Sequence, residues 1–146
     1  MYTKLSNNRK VIIASKQQVI SEFIEDCVPV VVLFTARFDK DDSIESWGDI
    51  VKFFIENGAK YIVCVGSLSE SLHDSIDDFL YAMDDDNNTN ISTDIITTYH
   101  VDEDCSETID YFAYATDMGE VENACMVAVL QDTKEDDELL IALKKA

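Results

Sequence analysis

Thirty Asp and Glu against eleven Lys and Arg give this 146-residue chain a formal net charge of −19. That balance repels phosphate backbones and excludes direct nucleic-acid binding, which needs a basic stripe. Hydrophobic residues at 47 % and aromatics at 10 % place the chain outside the disordered class, and its length fits one domain over residues 1–146 that buries roughly two-thirds of the surface its unfolded form exposes.

In chain order, the polar N-terminus precedes a first apolar run at 11–14, too short for a signal-peptide core or a membrane span. The expectation is a cytoplasmic protein without membrane contact. Residues 11–14 can form an edge strand, and Ser15 can cap a helix carrying Val19, Ile20, Phe23 and Ile24. From residue 28 onward, short apolar runs alternate with runs of helical spacing, the pattern of βα units around a parallel sheet. Residues 28–34 read as a buried strand with Pro29 at its entrance. Ile44, Trp47, Val51 and Phe54 then share one helix face, and Asn57-Gly58 supplies the stop.

Residues 61–65 are the next strand, and Ser67 with Glu70 reads as a capping box opening a helix with Leu72, Ile76, Phe79 and Met83 inward. Asp74, Asp77 and Asp78 fall on its outer face, and the polar stretch 84–90 reads as a loop. Residues 95–99 form a further strand. Asp104 and Glu107 can cap a helix with Ile109, Phe112, Ala113 and Thr116 inward, ended by Gly119. Residues 124–130 are the last strand, and a closing helix runs from an acidic first turn to Lys144 and Lys145. The fold class predicted is α/β, a three-layer sandwich with a mostly parallel sheet of four to five strands flanked by helices. Cys27, Cys64, Cys105 and Cys125 show no close pairing and no secretory context, so free thiols are expected.

In such a sheet the functional crevice lies beyond the carboxyl ends of the strands. Acids crowd there: Asp39, Asp41 and Asp42 after the first strand of the series, Asp102, Glu103 and Asp104 after the third, and Asp132 to Glu138 after the last. A nucleotide site needs glycines, and only Gly66 stands in place, with Ser67 and Ser69 behind it. A magnesium-dependent phosphotransfer or receiver-like domain needs a cation beside its carboxylates, yet no Lys or Arg occurs between residues 61 and 133. With His73 and His100 as the only histidines, neither a hydrolase triad around Cys105 or Ser67 nor a zinc site is supported. No catalytic residue, metal ligand or cofactor is assigned.

The remaining chemistry is attraction of a cationic protein, with carboxylates standing in for a phosphate backbone and an aromatic residue as anchor. The chain resembles small bacterial immunity proteins, particularly those that protect a cell against its own contact-dependent growth-inhibition toxin. Residues 58–66, the Ser/Asp helix after them, and residues 96–100 followed by acids and Tyr111-Phe112 are also similar to an uncharacterised bacterial α/β domain family, over roughly residues 28–130. The resemblance implies a non-enzymatic inhibitor that binds one basic, nuclease-type toxin domain. The expected contact set is Phe38, Asp39, Asp41, Asp42, Asp102, Glu103 and Asp104, with Phe38 preferred as anchor over Trp47, whose spacing is that of a core residue. The alternatives are a nucleic-acid mimic aimed at another enzyme, an acidic accessory domain whose charge serves solubility, and the magnesium-dependent domain above.

Overall fold

The computed structural model describes residues 2–15, 27–36, 44–130 and 134–146. The strands are β1 (Tyr2–Lys4), β2 (Lys10–Ser15), β3 (Val28–Thr35), β4 (Tyr61–Val65), β5 (Ile96–His100) and β6 (Ala124–Leu130). The helices are α1 (Ile44–Glu56), α2 (Ser69–Asn87), α3 (Ile91–Asp94), α4 (Cys105–Asp110), which continues as a π-helical turn over Tyr111–Ala115, and α5 (Lys134–Lys145). One sheet runs β1-β2-β6-β3-β4-β5, with only β1 antiparallel to its neighbour.

The sheet therefore has six strands where four or five were expected. The extra one, β1, is three polar-flanked residues that bury little and leave no hydrophobic signature. It takes the outer position, so β2 lies inside the sheet between β1 and β6 rather than at its edge. The helix expected over residues 16–26 lies outside the described residues.

Strand side chains alternate between two cores because successive residues of a strand point to opposite faces. Val31, Leu33, Val63, Met126 and Ala128 pack with Ile109, Phe112, Leu139 and Leu143 of α4, the π turn and α5. Val32, Phe34, Ile62, Cys64, Val127 and Val129 pack with Trp47, Val51, Phe54, Leu72, Ile76 and Leu80 of α1 and α2. Three layers result. Trp47 is completely buried, with its ring centroid 4.9 Å from that of Phe34, and is core.

Local expectations fared unevenly. Gly58 does end α1: its φ of 110° is left-handed, and a Cβ there would come within 2.7 Å of Val28 Cγ1. The capping box at Ser67 and Glu70 does not form; the N-cap position falls on Leu68, and Ser67 Oγ and Ser69 Oγ are buried with no hydrogen-bond partner. Residues 84–87 are helical, not loop. Asp84 draws the chain back, accepting from Thr89 Oγ1 at 2.7 Å, Ile91 N at 2.8 Å and Ser92 N at 3.0 Å, while Asn88 in the left-handed conformation closes the helix.

The π turn ends at Ala115, four residues before Gly119. What stops it is Arg9, whose guanidinium donates to Ala113 O at 2.9 Å, Thr116 Oγ1 at 3.2 Å and Thr116 O at 2.8 Å. Asn7 Nδ2 adds a bond to Ala113 O at 3.0 Å. The β1–β2 hairpin thus caps a helix more than a hundred residues away.

The expectation of four free thiols is also corrected. Cys27 and Cys125 form a disulfide, with Cα atoms 5.7 Å apart, across a sequence separation of 98 that no spacing rule detects. Cys64 and Cys105 are not disulfide-bonded.

Candidate partner-binding surface

Helices follow adjacent strands to opposite faces at two places. β6 and β3 lead to α5 and α1, and β4 and β5 lead to α2 and α4, so both pairs are topological switch points of the kind that opens a crevice. The carboxyl end of β3 is closed from below by a buried pair: Thr35 Oγ1 donates to Asp136 Oδ2 at 2.8 Å, and Asp136 is only 2 % exposed. One acid of the third cluster is therefore interior, and its hydrogen bond holds the first turn of α5 to the sheet. Phe38, Asp39, Asp41 and Asp42 lie outside the described residues.

The cluster after β5 is fully described. Asp102 is exposed in the left-handed region, with φ 57°. Asp104 is the N-cap of α4 and accepts from Ser106 N at 3.3 Å. Glu103 Oε2 lies 2.8 Å from His100 Nδ1 and accepts from Thr108 Oγ1 at 3.2 Å. His100 is 9 % exposed, its ring leans on Tyr111, and its Nε2 is 3.2 Å from Thr98 Oγ1. With Nδ1 donating to the carboxylate, Nε2 accepts from the Thr98 hydroxyl.

Hydroxyl, imidazole and carboxylate stand here in the order of a hydrolase relay. Neither Thr98 nor His100, however, lines the groove that lies between α4 and α5. The set instead fixes Glu103 against α4. Sequence reading missed this pairing because a histidine three residues before a glutamate is common in any acidic turn.

Beside Glu103 lies a groove of about 550 Å³ between α4 and α5, lined by Glu103, Asp104, Ser106, Ile109, Asp110, Glu138, Ile141, Ala142 and Lys145, among others. Its floor is aliphatic and its rim carries four carboxylates against the single ammonium of Lys145. Asp110 and Glu138 are exposed and, among the described residues, have no ion-pair or hydrogen-bond partner. Ile141 is 54 % exposed. Two of the seven expected contact residues, Glu103 and Asp104, are therefore at the mouth of this groove, and Asp110, Glu138 and Ile141 join them. The offset of Ile141 from the buried Leu139 and Leu143 was visible in the sequence as an aliphatic residue on the polar face of α5.

Among the described residues no three His, Cys, Asp or Glu side chains gather to hold a metal ion, and no helix is long and apolar enough to cross a membrane. A family model described as domain of unknown function (DUF7684) matches residues 9–146. The chain belongs to the DUF7684 family. No curated protein and no solved structure matches it. In this DUF7684 member the matched segment contains the whole parallel sheet, both cores except Leu5, and the α4–α5 groove, leaving out β1 and the turn after it.

Proposed function

We propose that this chain is a non-enzymatic inhibitor of the immunity type, which neutralises a basic, nuclease-type toxin domain by covering it with an acidic surface. The observation that supports this most is the net-negative rim beside β5. Glu103, Asp104, Asp110 and Glu138 ring an aliphatic floor in a chain whose net charge is −19. Carboxylates placed this way raise the encounter rate with a cationic protein and repel nucleic acid. The contact set is Asp102, Glu103 and Asp104 together with Phe38, Asp39, Asp41 and Asp42, and no cofactor takes part. A cytoplasmic site of action belongs to the same reading.

The test is affinity co-purification at about 0.1 M salt, where charge steering is only partly screened, with the retained protein identified, expressed and assayed for toxicity. The expected result is a basic protein in stoichiometric amount whose toxicity is abolished by co-expression of this chain. Removing charge with Asp102→Asn and Glu103→Gln together slows its association several-fold and flattens the salt dependence. Retention of no such protein from cells shown to produce it, or retention of one whose toxicity is unchanged, overturns the proposal.

A further inference from the structure

We infer that the α4–α5 groove is a docking site for a cationic amphipathic segment of a partner protein, which seats one aliphatic or aromatic side chain on the floor and sets Arg or Lys on either side. The inference rests on the preceding reading in taking a basic protein as partner, and goes beyond it in placing the anchor and its chemistry. It needs none of the residues outside the described ones.

The floor and the rim make separate demands. Ala142 and the half-exposed Ile141, backed by the buried Ile109, offer apolar surface that water covers poorly, and 550 Å³ is room for one or two large side chains. A neutral apolar partner would leave the carboxylates of Asp110 and Glu138 partly desolvated without a counter-charge, at a cost. A purely cationic partner would gain the charges and leave the floor unused. Only a segment carrying both features satisfies both. A guanidinium suits the rim best, because its fork can span carboxylate oxygens in bidentate fashion.

Charge also separates this groove from a second concavity among the described residues. That one lies at the opposite end of the sheet, between Ile55, Ile91 and Ile95, and its rim holds Lys60 against Asp94. It is electrically balanced and selects no sign of partner. A second copy of this chain is a poor occupant of the α4–α5 groove, since it would bring further acid to an acidic rim.

The probe is a fluorescent Leu/Lys peptide of about 14 residues, matched to the ~18 Å length of the twelve-residue α5, with leucines on one face. A scrambled peptide of the same composition is the control. The expected result is that the amphipathic peptide binds at least about tenfold tighter than the scrambled one, and that Ile141→Arg and the pair Asp110→Lys/Glu138→Lys each weaken it about tenfold or more. Reversal of two exposed acids on α2, Asp78→Lys/Asp85→Lys, changes net charge equally and shifts affinity less than about threefold. Circular dichroism establishes that each variant is folded.

Equal binding of the two peptides, or equal loss from the α2 pair, shows long-range attraction without a site and overturns the inference. So does a dimer of this chain in sedimentation that Ile141→Arg dissolves. If a toxic partner is neutralised undiminished by the Ile141→Arg chain, the groove falls and the inhibitor reading stands. If the peptide is bound selectively and no such partner exists, the inhibitor reading falls and the groove stands.

Discussion

Three side chains show how little of a residue's role its type reveals. Asp104, Glu103 and Asp136 all belong to acidic clusters. One caps α4, one is clamped by His100 and Thr108, and one is interior against Thr35. Cys64 is buried in β4, and burial, with a contribution from the charge of Asp77, pushes its thiol far above the ordinary range. Native alkylation should therefore spare Cys64, which reacts only after unfolding, and Cys27 and Cys125 should react only after reduction as well. Mass spectrometry of the alkylated protein in the three states checks both steps. At Asp84, partial desolvation opposes ionisation, but hydrogen bonds from the Ser92 and Thr89 side chains and from the Ser92 and Ile91 amides outweigh it and hold the pKa at about 2. A folded value below the unfolded one, about 3.9, means the stabilisation is complete above pH ~4 and lost as pH falls through about 2. Asp84→Asn should remove that acid limb from the stability profile and speed amide exchange at Ile91 and Ser92, measured by pH-dependent unfolding and by NMR.

At the level of elements, the clearest device is the hairpin that caps the π turn. Arg9→Ala should cost about 2 kcal/mol, the usual worth of charge-assisted hydrogen bonds to part-buried acceptors, seen as a lower denaturant midpoint. Arg9→Lys should recover only part, since an ammonium cannot span Ala113 O and Thr116 O in one plane. The same elements mark where sequence reading ended. Strands β3, β4 and β6 were legible because each is an apolar run buried on both faces, and α1 because Trp47, Val51 and Phe54 hold a three-to-four spacing. The end of α2, the end of the π turn and the cap at Leu68 were not. Asp84 reaches Ile91 seven residues on, across a turn, Arg9 reaches Thr116 from more than a hundred residues away, and the partner expected for Ser67 fails to appear. At the candidate site, the charge of Glu103 and Asp104 was readable. The groove was not, since it exists only where α4 lies against α5.

For the whole molecule, the covalent link between Cys27 and Cys125 closes a loop spanning 98 residues and joins the start of β3 to β6. Reduction, or Cys27→Ser with Cys125→Ser, should lower stability by about 2–4 kcal/mol through the freedom returned to the unfolded chain, measured by denaturant titration with and without reductant. The strand order carries a consequence for how the molecule comes into being. β6 is the last strand made, yet it lies between β2 and β3. During synthesis β1–β2 and β3–β4–β5 are made first, and the sheet joins these two groups only through residues 124–130. Until then both groups lack the neighbour that covers a strand edge, a standing invitation to wrong pairing. A nascent chain with thirty carboxylates repels others like it. The acidity proposed to attract a cationic partner also protects the unfinished sheet while it waits for its middle strand.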